Sequence, residues 1–405
     1  MGNGIFKSRG VLDALGHSGA TDAFARQRVA HPETIFDSKQ LYDNAPLFWD
    51  DQQISGANTT STHSPSRASS ILAVAAEAGM RARQTFQRFN YQPGKSQNVI
   101  MTGILGDSAT GITRRIGAFD ANDGLFFEQD EDGMSVCVRS NTSGTVATTK
   151  VTQTDWNLDQ LNGTGISGKI LDPSKAQIFF IDYEWLGVGS VRFGFVIEGI
   201  VRYCHQFQHA NKSTVVYTKT PNHPLRYEIS NDGTGGTAQL ECICSTVISE
   251  GGRQDLGIVR HVASGVDATL ANTKTYAVIG LRLNSASPGV TVAALSTSLL
   301  LTSANDTSKW SLRLNPTVAN TFTYSNVTNS AVQVAFGSNV NDVTASGTVI
   351  AGGVVSTVAP EQHTFENAIR LGSTIVGASD TLVLCVTPVS GTVSAVGTLT
   401  WREQV

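Results

Sequence analysis

Apolar residues recur at every second position through much of residues 70–260, and this alternation predicts β-strands. Clear runs lie at 99–105, 176–185 and 191–197, with glycine-containing turns near them. Two further apolar runs flank the acidic turn at 128–133 and predict a hairpin. Strands spaced about 8–12 residues apart are typical of a sandwich or barrel, and this stretch is long enough for one large jelly-roll-like sandwich.

The same strand pattern continues after residue 265, but the composition changes. Residues 266–405 contain 13 charged residues, against 49 in the first 265, and Val, Thr, Ser, Ala and Gly dominate. We therefore predict an all-β protein with two β-sandwich (jelly-roll-like) domains, at 66–265 and 266–405. Uncharged strand edges invite pairing, so the low charge suggests surfaces that are covered in an assembly.

Residues 1–65 form an irregular polar segment with scattered apolar anchors, and they end in a Ser/Thr-rich run. Residues 21–29 predict a short helix, capped by Thr21 or Asp22 and ended before Pro32. The segment cannot bury a core alone, so we expect an extended N-terminal arm that crosses onto a neighbouring subunit; the alternative is an arm folded over its own domain. The expected assembly contacts are the apolar anchors Phe36, Leu47, Phe48 and Trp49.

Charge and cysteine content narrow the range of partners. The net charge is −4 and only 15% of the residues are charged, which argues against a nucleic-acid or polybasic membrane partner. No apolar run approaches the roughly 18 residues of a membrane span, and the first residues lack the apolar core of a secretory signal. Five widely spaced cysteines predict reduced thiols rather than a disulfide framework.

No motif predicts a cofactor or a metal. The sequence Gly94-Lys95-Ser96 lacks the earlier glycine of a phosphate-binding loop and precedes a strand instead of a helix. The acidic turn at 128–133 departs from a calcium loop at its first and twelfth positions. His205 and His209 lie on one predicted strand, where four residues span about 13 Å, too far for one ion.

Two groups of side chains offer candidate chemistry. Asp182 and Glu184 share one strand face, as paired carboxylates do in some β-sandwich glycosidases, so a glycan hydrolase is one alternative. It requires both groups in an open groove. Aromatic side chains near them are candidates for sugar stacking, with core packing as the alternative; they are Trp156, Tyr183, Trp185 and Tyr203.

A set of short motifs is spread over about residues 35–255 and is most distinctive over 185–195. The motifs are Phe36-Asp-Ser-Lys-Gln, Leu47-Phe-Trp-Asp-Asp, Arg83-Gln-Thr, Tyr91-Gln-Pro-Gly-Lys-Ser-Gln, Trp156-Asn-Leu-Asp, the run from Asp182 to Phe195, Pro224-Leu-Arg-Tyr-Glu-Ile and Cys244-Ser-Thr-Val-Ile-Ser-Glu-Gly-Gly. Together they resemble a poorly characterised family of virion structural proteins from tailed bacteriophages. The C-terminal Thr398-Leu-Thr-Trp-Arg-Glu is similar to endings of phage structural proteins.

The resemblance implies a component of the particle and not an enzyme, and it brings no catalytic residues. We expect a capsid decoration, head-associated, tail or baseplate protein on the virion surface, made in the host cytoplasm. Its expected partners are other virion proteins and further copies of itself, with a trimer as one form of the homo-oligomer. The alternative is a receptor-binding or glycan-binding adhesin of the tail or fibre, whose partner would be a host-surface glycan.

Overall fold

The computed structural model describes residues 21–28, 30–264, 268–271, 274–287, 289–302, 307–356 and 361–404. The chain divides into two compact units, Met1–Gln254 and Asp255–Val405. The regular structure of the described residues is β-strand apart from one 3-10 turn, Gln153–Asp155. The prediction of an all-β, jelly-roll-like sandwich protein is confirmed. No helix in these ranges is long and apolar enough to cross a membrane.

The strands of the first unit form two antiparallel sheets. In chain order they are β1 Glu33–Lys39, β2 Trp49–Gly56, β3 Thr60–Ser64, β4 Ser69–Val74, β5 Gly79–Thr85, β6 Gln97–Ile104, β7 Ile112–Phe119, β8 Gly124–Asp130, β9 Gly133–Ser140, β10 Ala147–Thr152, β11 Gln177–Tyr183, β12 Ser190–Ile197, β13 Ile200–Gln208, β14 Leu225–Asn231 and β15 Ala238–Ser249. One sheet has the order β13-β12-β11-β6-β15-β4-β3, with β1 also beside β15, and the other has the order β10-β9-β8-β7-β14-β5-β2.

The core of the first unit lies between these two sheets. Phe127 of β8 places its ring 5.2 Å from Phe179 of β11 and 5.2 Å and 4.9 Å from Phe193 and Phe195 of β12, measured between centroids. Phe193 and Phe195 are two apart on β12, so one face of this strand supplies the core. The opposite faces of β8 and β12 are also largely buried, as the burial of Phe126 and Arg192 shows.

The described residues of the second unit form thirteen strands, several of them short. They are β16 Ile258–Ala263, β17 Ala268–Ala271, β18 Tyr276–Leu283, β19 Thr291–Leu301, β20 Thr307–Leu314, β21 Thr317–Val318, β22 Ser325–Asn326, β23 Val332–Phe336, β24 Val343–Ala345, β25 Thr348–Ser356, β26 Glu361–Leu371, β27 Thr381–Pro388 and β28 Thr392–Gln404. A five-stranded sheet (β16-β28-β19-β26, with β17 beside β28) and a six-stranded sheet (β22-β23-β18-β27-β20-β25) enclose a core that includes Leu281, Leu384 and Trp401.

The structure differs from the expectation of a separate arm over residues 1–65. Strands β1 and β3 are paired within the first sheet and β2 within the second, since β1 lies along β15 from Glu33–Ser249 to Lys39–Cys244. The apolar anchors Phe36 and Trp49 supply enough inward contact to hold these strands in the sandwich. Residues 1–20 of the expected arm lie outside the described residues.

The division between the units falls at Gln254, close to the boundary expected at residue 265. The difference arises from β16, which pairs with β28 from Ile258–Glu403 to Ala263–Thr398. A strand that pairs with the last strand of the chain belongs to the second unit, and local composition does not reveal such a long-range partner.

Candidate functional site

The segment 21–28 forms a closed turn instead of the expected helix. An isolated bridge joins Thr21 to Gln27, and one carboxylate oxygen of Asp22 accepts N–H bonds from Phe24 at 3.0 Å and Arg26 at 2.9 Å. Ala25 has a φ of 59°, which is not helical. The helix prediction was wrong because the Asp22 side chain satisfies these N–H groups in a turn rather than as a helix cap.

This turn leads into a buried ion network on the outward side of β11. The carboxylate of Asp182 is fully buried, and its Oδ2 accepts hydrogen bonds from the Tyr203 hydroxyl at 2.9 Å and the Arg28 guanidinium at 3.1 Å. The guanidinium of Arg192 binds the same oxygen. Arg28 also contacts Glu250, with Nε 2.7 Å from Oε1. Arg28 thus ties the N-terminal segment to the sheet.

Burial controls the protonation of the groups around this network. Burial and the nearby charge of Asp182 both raise the pKa of Glu250. Burial also raises the pKa of Glu184, whose Oε1 accepts the Ser190 N–H at 3.3 Å. The Tyr203 hydroxyl has a pKa well above its ordinary value, because it is buried against Asp182. Through Arg28, Arg192 and Tyr203, the buried Asp182 connects the N-terminal segment to β12 and β13.

The paired carboxylates do not meet the requirement of a glycosidase. Asp182 has no exposed surface and is enclosed by two arginines, so a substrate in an open groove does not reach it. Glu184 is partly buried and accepts the N–H of Ser190, the first residue of β12. The two residues are two positions apart in sequence, but only Glu184 has any exposed surface.

The expected sugar-stacking residues are placed mainly inside the first unit. Trp156, Tyr183 and Tyr203 are between 2% and 6% exposed, so none of these rings offers a face to a sugar. Trp185 is partly buried and donates its indole N–H to the Thr218 hydroxyl at 3.0 Å. The structure thus contradicts a stacking platform built from this set. The core alternative fits Trp156 and Tyr183, which belong to the core of the first unit, and Trp185, which packs against it. Tyr203 is buried against Asp182 instead.

The four expected assembly residues separate into two groups. Phe36 and Trp49 are buried in the core of the first unit, with ring centroids 6.2 Å apart, and are not available to a partner. Leu47 and Phe48 are 59% and 53% exposed. An assembly role is therefore open to Leu47 and Phe48 alone among the four.

Leu47 and Phe48 belong to a larger exposed apolar surface on the loop between β1 and β2. We call this surface the 41–48 patch; its members are Leu41, Tyr42, Leu47 and Phe48. Tyr42 is 90% exposed and Leu41 is 51% exposed. Scattered exposed apolar side chains are ordinary, but here four large ones lie within eight residues of one loop, in two pairs separated by residues 43–46. The sequence contains a signal for Tyr42, because Leu41 and Tyr42 are adjacent and therefore cannot both face the core of a strand.

The backbone beneath the patch is held in place from inside the unit. Arg83 is completely buried, donates to the carbonyl oxygen of Asn44, and lies 5.0 Å from the Trp49 ring centroid. The Asp43 carboxylate accepts the Ala45 N–H at 2.8 Å, and the Ala45 carbonyl accepts the Phe48 N–H at 3.0 Å. A fixed loop loses little conformational entropy when a partner covers it, which favours binding.

A cavity of about 380 Å³ lies beside the ion network and is lined by residues that include Arg28, Lys95 and Glu250. A second cavity of about 380 Å³ is lined by acidic side chains that include Asp130, Glu131 and Asp232, yet no three potential metal ligands converge in the described part of the chain. All five cysteines are unpaired and four of them are buried, as the reduced-thiol prediction requires.

No protein-family model and no curated protein matches the chain. Among solved structures it is similar to a β-glucanase of Bacillus licheniformis, at 9% identity and a TM-score of 0.34, over 52% of this chain and 96% of that one. A pseudo β-1,3-glucanase of Mycobacterium tuberculosis matches at 10% identity and a TM-score of 0.36, over 53% and 98% of the two chains. The Emp46p carbohydrate recognition domain matches at 10% identity and a TM-score of 0.31, over 52% and 94%. Likeness at this level assigns no activity.

Proposed function

We propose that the protein is a structural component of a tailed-phage virion that attaches to a neighbouring particle protein through the 41–48 patch. The observation that carries the proposal is the patch itself, because four exposed apolar side chains stand on a backbone fixed by a buried arginine. The phage context comes from the sequence resemblance described above. Head, tail and baseplate positions are all compatible with this function.

The patch favours a protein partner with an apolar, weakly charged surface. Protein interfaces are enriched in exposed Tyr and Phe at their centres and depleted in charge there. Asp43 is the charged residue within the loop, and its carboxylate is bonded to the Ala45 N–H. A partner of high charge would lose hydration against the four apolar side chains, and Asp43 is the one residue of this loop that offers it an ion pair.

The size of the expected effect follows from the exposed area. Complete burial of a large apolar side chain contributes about 2 kcal/mol, and Leu47 and Phe48 are each about half exposed at the start. The two together could contribute roughly 2 kcal/mol, so Leu47→Ser with Phe48→Ser should weaken attachment about 30-fold.

The test measures attachment to particles that lack this protein. Purified full-length protein is added to such particles, and the bound fraction is read by co-sedimentation over a concentration series. We expect the Leu47→Ser/Phe48→Ser variant to lose affinity, whereas Ile170→Ser, which changes a side chain 73% exposed elsewhere in the first unit, should bind normally. Unchanged attachment by the double variant, or no attachment by the unaltered protein, would contradict the proposal.

A further inference from the structure

Strand β25 lies at the end of the six-stranded sheet of the second unit. It pairs with β20 on one side, from Thr307–Ser356 to Leu314–Thr348, and no described strand pairs with its other side. On that free side, the backbone N–H and C=O groups that point away from β20 have no strand partner. Such an edge is a template for an added strand.

The composition of β25 sets it apart from the other edge strands. Its sequence, TVIAGGVVS, has no charged residue and no proline. Every other edge strand longer than five residues in the described ranges carries a charged side chain. Examples are Arg202 on β13, Lys150 on β10, Arg260 on β16, Glu361 on β26 and the acidic residues of β1 and β2. Charge on an edge is a common protection against unwanted pairing, and β25 lacks it.

The outward side chains of β25 are also apolar and exposed. Ile350 is 37% exposed and Val354 is 61% exposed, whereas Val355 is buried in the core. Between the two exposed residues lies Gly352, which has no side chain to obstruct a close approach. Relative to β20 the strand has a bulge at Ile350, since Leu312 pairs with Ala351 and Arg313 with Val349, and its pairing is regular from Ala351 to Ser356. An antiparallel copy of the same strand, centred near Gly352, would pair this regular stretch and bring Ile350 of each chain towards Val354 of the other.

We propose that two copies of this chain associate through β25, which pairs antiparallel with β25 of the second copy across a two-fold axis. A strand that is uncharged and nearly symmetrical in side-chain size about its glycines is complementary to itself, as a two-fold interface requires. The pairing joins two six-stranded sheets into one and buries the exposed valine and isoleucine. This inference rests on the proposed function in assembly and adds a second contact surface to it.

The test is the mass of the full-length protein in solution, measured by light scattering after size exclusion. The unaltered chain should have twice its 42.9 kDa mass. Ile350→Lys with Val354→Lys, and separately Ile350→Glu with Val354→Glu, should each be monomers, because like charges then face each other across the axis. A mixture of the lysine and glutamate variants should recover the dimer.

The matched control adds the same two charges elsewhere in the second unit. Val376 and Val389 are 74% and 54% exposed and lie outside the strands, so Val376→Lys with Val389→Lys should remain dimeric. A monomeric unaltered chain, an oligomer that the lysine variant leaves unchanged, or a mixture that stays monomeric would each overturn the inference. The Leu47→Ser/Phe48→Ser variant should stay dimeric while losing attachment, so the two proposals can fail separately.

Discussion

Substitution of Asp182 by asparagine tests the buried ion network most sharply. The carboxylate has no exposed surface and accepts the Tyr203 hydroxyl and two guanidiniums on one oxygen. Asparagine keeps the size but removes the negative charge, which leaves Arg192 in a buried position without its ion-pair partner. Breaking a buried pair from one side costs about 3–5 kcal/mol. Because Arg28 keeps Glu250 at 2.7 Å, we expect the lower end, about 3 kcal/mol.

The assay must report on each unit separately. We suggest urea unfolding of the full chain followed by hydrogen exchange, with peptides from β11 to β13 for the first unit and from β18 to β19 for the second. A loss of about 3 kcal/mol with a urea dependence of about 3 kcal/mol per molar lowers the first unit's midpoint by about 1 M. The second unit should unfold at its normal concentration.

The control is the same substitution in an exposed ion pair. Asp37 lies 3.3 Å from Lys39, and both side chains are more than 60% exposed, so Asp37→Asn should change the stability by less than about 0.5 kcal/mol. If Asp182→Asn is as stable as Asp37→Asn, the network does not anchor the N-terminal segment, and the reasoning given for Asp182 fails.

Three further predictions concern packing and pH. Phe36→Ala should destabilise the first unit by about 3–5 kcal/mol in urea unfolding, because Phe36 is a core residue and not a partner contact. Gly117→Ala should also destabilise it, since an added Cβ would lie 2.3 Å from the Leu125 carbonyl oxygen; a melting temperature equal to that of the unaltered protein would contradict this. Burial lowers the pKa of His223 to about 4 from 6.5, so its stabilising contribution is complete above pH 6.5 and falls by up to about 3 kcal/mol as the pH drops to 4. His223→Leu should flatten the stability profile between pH 6.5 and 4, and an unchanged slope would count against the buried neutral histidine.

The alternation of apolar and polar residues was enough to predict the β-strands of the first unit from the sequence. The runs at 176–185 and 191–197 became β11 and β12, and the acidic turn at 128–133 became the hairpin of β8 and β9. These elements are local, since side-chain period and turn residues specify them without reference to distant parts of the chain. The low charge after residue 265 likewise identified a second sandwich.

The site was harder to predict because burial depends on distant partners. Tyr203 and Asp182 alternate on their strands as surface residues would, yet the turn at 21–28 covers them, and Arg28 comes from more than 150 positions away. Trp49 and Phe48 are adjacent in sequence, but one is in the core and the other is in the 41–48 patch. The pairing of β2 with β5 decides which of the two side chains faces inward. The register of that pairing cannot be read from the local sequence.

The most direct test of the proposed function is a cryo-electron microscopy map of the particle to which we propose that the protein belongs. The account predicts density for both sandwich units on the particle surface, with the 41–48 patch covered by a neighbouring protein. A particle that contains no such density, or a bound subunit whose Leu47 and Phe48 face solvent, would contradict it.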